Sequence, residues 1–144
     1  MTAARGQTPQ EETVVIEDSA VGSGVSQVSY FGGWSVCTGC TPQTPNGSYR
    51  HATNQSTGAV IRFSGTNIDI YGITGPDGGL LSISVDGGEP TIVDSYSPTA
   101  GVELIYHAEN LAAGTHTAVL VNTGWRNPFS TGTRIGFDRA VVLG

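Results

Sequence analysis

The sequence predicts an all-β protein, an antiparallel sandwich of two sheets around one core. From Thr13 onward, apolar residues recur with a period of two wherever any period is visible, which is the pattern of half-buried strands. The 144 residues include 21 Gly and 7 Pro, and many of these separate the alternating runs. Short strands joined by Gly- and Pro-containing turns are typical of sandwiches and jelly rolls.

Six alternating runs define the predicted strands, and Val, Ile, Thr and Tyr dominate them, as pleated surfaces favour. In chain order the runs lie around 14–17, 59–63, 68–71, 81–86, 116–121 and 135–142. Every second side chain of a run should face the interior. The predicted core is Ile61, Phe63, Ile68, Ile70, Leu81, Ile83, Val85, Leu120, Ile135, Phe137 and Val141.

Turn residues separate these runs. Asp86-Gly87-Gly88 predicts a hairpin, because Gly adopts a positive φ at little cost. The segments 64–67, 75–79 and 112–114 have similar composition. Only 103–111 comes near a helical period, and one short helical turn is expected there. Two longer segments, 30–54 and 123–133, show no alternation and are expected to be loops that carry function.

Length and charge limit the classes of protein that the chain can represent. Residues 13–144 suffice for one domain, and 1–12 are expected to be a polar tail or linker. The net charge is −6, all six side-chain cations other than His are Arg, and there is no Lys. Nucleic-acid binding needs a basic patch, and membrane insertion needs about 20 apolar residues in a row, so neither is expected. We expect a domain of a longer, secreted protein.

Cys37 and Cys40 form a Cys-x-x-Cys motif within the irregular segment. A local disulfide or a reduced structural pair is the favoured interpretation, as in secreted proteins. Half of a zinc site with His51 is an alternative, although no second close pair of ligands is present. A redox pair is a third, although it would favour a helix N-terminus.

Trp125, Arg126 and Asn127 are the candidate ligand-binding residues. An indole in a polar loop needs a cover, which is either a bound ligand or the edge of the core. A sugar ring can stack on the indole, while the Arg and Asn side chains supply donors and an acceptor for its hydroxyl groups. Tyr49 and His51 are expected to form a second wall, with Asp77 nearby as an alternative location. Trp34 is expected to be a core residue rather than a ligand-binding residue.

The sequence does not predict catalysis. There is no Gly-x-Ser-x-Gly elbow, and the acidic residues Asp77, Asp86 and Glu89 lie in turns, where turn chemistry accounts for them. His116 shares a strand face with Ala118 and Leu120 and is expected to be structural.

The order of several segments resembles the galactose-binding-like β-sandwich carbohydrate-binding modules, of families 6 and 35, that are appended to secreted glycoside hydrolases. The resemblance runs from Val14 to Leu143. It rests on the segments Val15-Ile16-Glu17-Asp18, Tyr30-Phe31-Gly32-Gly33-Trp34, 57–66, Ile70-Tyr71-Gly72, Val85-Asp86-Gly87-Gly88, Gly114-Thr115-His116-Thr117 and 135–141. It implies a jelly-roll fold and extracellular binding of a polysaccharide or oligosaccharide, beside a catalytic domain in the same chain.

The resemblance also implies two sites. Similar modules hold a structural calcium between an acid of the first strand and an acid of the last, and Glu17 and Asp138 match those positions. Calcium suits oxygen ligands of this kind. The loop before the last strand binds the ligand in similar modules, and Trp125 and Asn127 match that loop.

The expected function is therefore non-catalytic carbohydrate binding that tethers a secreted enzyme to polysaccharide. Two alternatives come from other classes. One is a catalytic domain of a carbohydrate-active enzyme, such as an esterase, lyase or hydrolase, and the other is an adhesion domain that binds protein.

Overall fold

The computed structural model describes residues 13–40 and 42–144, so the predicted tail at 1–12 lies outside the described residues. Eleven strands make two antiparallel sheets that face one another. The strands are β1 (Thr13–Glu17), β2 (Gln27–Phe31), β3 (Ser35–Thr38), β4 (Ser48–Ala52), β5 (Gly58–Ser64), β6 (Asn67–Thr74), β7 (Leu80–Val85), β8 (Thr91–Asp94), β9 (Gly101–Ala108), β10 (Thr115–Asn122) and β11 (Ile135–Leu143). The predicted all-β sandwich is confirmed.

One sheet has five strands in the order β2-β5-β10-β7-β8. The other has the order β3-β4-β11-β6-β9, with β1 also paired to β11. Strands β5 and β6 follow one another in sequence but lie in different sheets, so the short 64–67 segment crosses between the sheets. The hairpin at Asp86-Gly87-Gly88 joins β7 and β8 as predicted, with Asp86 itself at φ 54°.

The core lies between the sheets and follows the predicted alternation. Ile61, Phe63, Leu120 and Ile83 of the five-stranded sheet are at most 1% exposed, and Phe137 of the other sheet is fully buried. Val85 is partly buried and packs against this cluster. The side chains of Trp34 and Tyr30 also pack against it.

Strand β11 departs from the predicted alternation at one place. Phe137 pairs with Gly72 and Arg139 pairs with Tyr71, so two residues of β11 oppose one of β6. This β-bulge shifts the phase of the strand by one residue. Ala140 and Val142 therefore enter the core, and the prediction that Val141 is a core residue is wrong.

The region expected to hold a helical turn, 103–111, instead contains most of β9, and the described residues include no helix. The register between β6 and β9 shifts between Ile70 and Tyr71, which leaves Ile105 as an extra residue in β9. The bulge interrupts the period of two, and this interruption gave the segment its helical appearance. Strands β3 and β4 also lie in a segment that was expected to be loop.

His116 on β10 is a structural residue, as expected. Its Nδ1 faces the Asp86 carboxylate, its Nε2 faces the carbonyl oxygen of Ala112, and its ring packs 5.5 Å from that of Phe63. Asp86 also accepts the backbone N–H of Thr117 at 2.9 Å. The hydrogen bond to Asp86 raises the pKa of His116 above its ordinary value.

A raised folded-state pKa means that this pair stabilises the fold below the unfolded pKa of His and loses that contribution as the pH rises through the folded value. We expect the difference in melting temperature between wild type and His116→Gln to be largest near pH 6 and to shrink toward pH 9. Thermal denaturation of both proteins across this range checks it. A constant or growing difference would show that the charge of His116 contributes nothing.

Candidate functional site

Residues 123–134, here called the aromatic loop, connect β10 to β11 at one end of the sandwich. The buried amide of Asn122 joins the two ends of this loop. Its Oδ1 accepts the N–H of Gly124 at 2.9 Å, and its Nδ2 donates to the carbonyl oxygen of Thr133 at 2.8 Å. Asn122 is fully buried, and the two hydrogen bonds are partly buried, so water competes with them less than with a surface pair.

Neighbouring backbone fixes the rest of the loop. Leu80 N–H donates to the carbonyl oxygen of Trp125 at 2.9 Å, and Thr131 N–H donates to that of Pro76 at 2.9 Å. The nearly buried Ser130 hydroxyl donates to the carbonyl oxygen of Gly78 at 2.6 Å. The loop is irregular in shape, but it is bonded to the sandwich along its whole length.

Asn127 shapes the loop from inside. Its Nδ2 donates to Asp94 Oδ2 at 2.9 Å, and its Oδ1 accepts the N–H of Phe129 at 2.9 Å. Both amide atoms therefore have partners within the protein. Asn127 positions the following residues, and its predicted contact with sugar hydroxyls would use only the remaining hydrogen-bonding capacity of the amide.

Two aromatic side chains project from this framework into solvent. Trp125 is 71% exposed and Phe129 is 78% exposed, and the ring of Tyr96 lies 6.4 Å from that of Phe129. The exposure of Trp125 excludes the alternative that it caps the core. Each exposed ring forgoes roughly 1.5–3 kcal/mol that burial would provide. A fixed loop that displays two such rings is typical of a binding surface.

Arg126 lies between these rings in sequence and is exposed. Of the predicted site residues, Trp125, Arg126 and Asn127 therefore share one loop, with Phe129 as an additional member.

The other predicted site residues, Tyr49, His51 and Asp77, do not form an exposed second wall. Tyr49 is 2% exposed, so its ring is part of the interior and presents no face to a ligand. Asp77 forms an ion pair with Arg134 at 3.1 Å. His51 is partly buried near this pair, and burial, followed by the positive charge of Arg134, lowers its pKa. Asp77 therefore holds the base of the aromatic loop.

Cys37 and Cys40 form a disulfide, in agreement with the favoured interpretation of this motif. It lies at the end of β3, and Gly39 N–H donates to the carbonyl oxygen of Gly47 at 2.8 Å across the turn. With both sulfurs bonded to each other, the pair is not available to a zinc ion.

A second cluster, Glu17, Asp18 and Asp138, is here called the acidic cluster. One carboxylate oxygen of each residue lies within 4.8 Å of the others. Asp18 and Asp138 are fully buried, and Asp18 N–H donates to the carbonyl oxygen of Asp138 at 2.9 Å. The cluster thus contains both predicted metal ligands, Glu17 and Asp138, and adds Asp18.

Two arginines and one hydroxyl group partly compensate the negative charge of these carboxylates. Arg139 pairs with Asp138, Arg50 Nε lies 3.7 Å from Asp18 Oδ2, and the Ser48 hydroxyl donates to Asp18 Oδ1 at 2.9 Å. Burial raises the pKa of Asp138, and burial together with the two aspartates raises that of Glu17.

The remaining oxygens test whether a cation fits. Glu17 Oε1, Asp18 Oδ2 and Asp138 Oδ1 are buried and have no hydrogen-bond partner. Unpaired buried carboxylate oxygens are costly, and a hard cation satisfies several of them at once. The donor set therefore fits an ion such as Ca²⁺.

Sequence reasoning missed three residues of these sites. Asp18 directly follows Glu17, and strict alternation would have sent the two side chains to opposite faces. For Phe129 and Asn122, the sequence offered only the composition of the surrounding loop as an indication of a functional role. The Asn-Pro-Phe order is compatible with an Asx turn, and this was the available clue to Phe129.

No family model matches the chain. An A type blood N-acetyl-α-D-galactosamine deacetylase of Flavonifractor plautii is 35% identical over 91 residues. The match covers 60% of this chain but only 12% of the deacetylase. The chain is thus similar to a small part of a much longer enzyme.

Solved structures with the same fold come from carbohydrate-active proteins. A two-domain esterase active on acetylated mannans matches 99% of this chain and 41% of its own with a TM-score of 0.66 and 13% identity. The Podospora anserina GH26-CBM35 mannanase matches 92% of this chain and 28% of its own, with a TM-score of 0.58 and 16% identity.

The CBM36-1 domain of a multidomain xylanase, from the hindgut metagenome of Trinervitermes trinervoides, matches 92% of this chain. The match covers 97% of that domain, with a TM-score of 0.53 and 12% identity. The fold of this chain is therefore that of carbohydrate-binding modules and of domains in carbohydrate-active enzymes. No helix among the described residues is long and apolar enough to cross a membrane.

The roles of Asn127 and of the exposed rings lead to effects of different size on the free energy of unfolding. Asn127→Ala removes two hydrogen bonds and should lower the free energy of unfolding by about 1–2 kcal/mol. Phe129→Ala and Trp125→Ala should each change it by less than about 0.5 kcal/mol, since both rings are exposed. Urea denaturation of the three variants checks this. A loss above about 2 kcal/mol for either aromatic variant would contradict the described exposure.

Proposed function

We propose that the chain is a non-catalytic carbohydrate-binding domain of an extracellular carbohydrate-active enzyme, and that the aromatic loop is its binding surface. The observation that carries the proposal is the exposure of Trp125 and Phe129 on a loop that Asn122 and Asn127 hold in place. Preformed aromatic surfaces bind with little loss of conformational freedom.

The chemistry of these rings suits a sugar. The C–H face of a pyranose packs against an indole or phenyl plane, and the hydroxyl groups at its edge remain free for polar side chains and water. Because both rings project into solvent from one short loop, each is open to a sugar without a cavity around it. We expect modest affinity and tolerance of long polysaccharide chains.

The comparisons support this class of ligand but point to different sugars. The similar proteins act on galactosamine-containing blood-group glycans or on acetylated mannans, and another is a module of a xylanase. A glycan array, complemented by pull-down on insoluble polysaccharides, is therefore the suitable first experiment.

Truncation of either ring should remove binding. Trp125→Ala and Phe129→Ala should each weaken retention on the bound polysaccharide by about 10- to 100-fold, since each ring contributes roughly 1.5–3 kcal/mol when covered. Affinity electrophoresis or calorimetry measures the change, and circular dichroism verifies folding.

Leu104→Ala is the matched control. Leu104 is 51% exposed on β9, the end strand of the sheet that contains β11, and it lies outside the aromatic loop. It should bind as wild type does. Equal losses in all three variants would indicate nonspecific adsorption, and unchanged binding in both loop variants would contradict the proposal.

A role within a catalytic unit is the second candidate function, and the 35% identity to part of a deacetylase favours it. Acetate release from acetylated glycans by this chain alone would support that role. Binding without any release would support the non-catalytic one.

We also propose that the acidic cluster binds a structural Ca²⁺ through Glu17, Asp18 and Asp138. Three buried oxygens that accept no hydrogen bond support this proposal; of these, Asp18 Oδ2 also lies 3.7 Å from Arg50 Nε. The ion would offset the repulsion among the carboxylates and link the end of β1 to the bulge in β11. It would stabilise the fold and take no part in ligand chemistry.

Calcium at about 100 times its dissociation constant should add about 2.7 kcal/mol of stability. For a domain of this size that corresponds to a rise in melting temperature of about 5–10 °C relative to excess chelator. Glu17→Gln should lose this rise, while the exposed control Glu89→Gln should keep it. A wild-type melting temperature that neither calcium nor chelator changes would contradict the site.

A further inference from the structure

Arg126 differs from the other side-chain cations that the structure describes, because it has no partner. The others all contact protein groups: Arg50 faces Asp18, Arg134 faces Asp77, Arg139 faces Asp138, Arg62 reaches Ser29, His107 and His116 each face carboxylates, and the His51 ring lies 5.9 Å from that of Tyr49. The sequence contains no Lys that could supply another cation. Within the described part of the chain, Arg126 is thus the one cation left for an external anion.

The position of Arg126 places this charge at the proposed binding surface. It directly follows Trp125, the residue whose indole is 71% exposed, and its Cα lies about 3.8 Å from that of Trp125. The long side chain can therefore reach a group on a sugar that is stacked on the indole. An exposed cation beside a stacking ring is the arrangement that fits an anionic sugar.

The nearby carboxylates do not occupy this guanidinium. Asp94 accepts hydrogen bonds from Asn127 and from the N–H of Tyr96, and Asp77 pairs with Arg134. The net charge of −6 acts over the whole chain, but salt screens exposed charges beyond about 8 Å at physiological ionic strength. The charges close to the loop therefore decide the preference, and Arg126 is the exposed cation among them, while the Asp94 carboxylate is held by the neutral donors of Asn127 and Tyr96.

We propose that the aromatic loop selects glycans that carry a carboxylate or a sulfate, with Arg126 as the residue that determines this specificity. The proposal rests on the proposed function, since the glycan is held by Trp125 and Phe129. The planar guanidinium donates two parallel N–H groups to two oxygens of the anion, a geometry that a carboxylate matches closely. A neutral sugar of the same shape lacks these bonds.

The test uses pairs of polysaccharides with one backbone. Polygalacturonate and its fully methyl-esterified form differ in the carboxylate, and a glycan array adds other uronic acids and their sulfated and neutral counterparts. Wild-type protein should bind the anionic member of a pair at least about tenfold more tightly, and its affinity should fall with added NaCl. Comparison of the carboxylated and sulfated members identifies the anion.

Arg126→Gln should bring the ratio of the affinities for the anionic and neutral members down to about one, whatever its effect on the binding of each. Arg126→Lys should keep part of the preference, because the positive charge remains but the two parallel N–H donors of the guanidinium are lost. Arg62→Gln is the matched control, since it makes the same change in net charge on the outer face of the five-stranded sheet.

The outcomes separate this inference from the proposed function. Binding of neutral glycans only, or an unchanged anionic preference in Arg126→Gln, would overturn the inference, while loss of that binding in Trp125→Ala would leave the proposed function in place. Failure of the protein to bind any glycan on the array would overturn both.

Discussion

The extra residue in β11 organises one whole edge of the sandwich. Before the bulge β11 pairs with β4, and after it β11 pairs with β1, so Asp138 lies at the point where one neighbour gives way to the other. Burying this carboxylate without compensation would be costly. Arg139 pairs with this carboxylate, whereas Asp18 and Glu17 bring two further carboxylates beside it, and this arrangement creates the acidic cluster.

The aromatic loop depends on a different principle, the separation of framework and surface. Polar groups that are buried or bonded to backbone, above all Asn122 and Ser130, give the loop a defined path. Its large apolar groups face outward, where they contribute little to folding. Binding residues can therefore change with little effect on stability, whereas the framework residues cannot. Arg126 belongs to the surface residues in this sense, because it is exposed and forms no ion pair within the described part of the chain.

The sequence-based expectations succeeded where local rules apply. Strands β5, β7 and β10 show uninterrupted alternation, and their core residues were predicted. For Trp125 the sequence left two covers open, a ligand or the edge of the core, and the structure shows the indole exposed. Tyr49 was expected in a loop, whereas it lies in β4 with its ring buried, and the burial pattern of β4 does not alternate strictly.

The amino-acid sequence by itself determined the fold class, the turn at Asp86, most of the core and the loop that displays Trp125. These features follow from periodicity and from backbone preferences, which act over a few residues. The tertiary structure alone decided the bulges in β9 and β11, the entry of Asp18 into the acidic cluster, the engagement of Asn127 and the lack of a partner for Arg126. Each depends on groups that are distant in sequence, so only the folded chain brings them together.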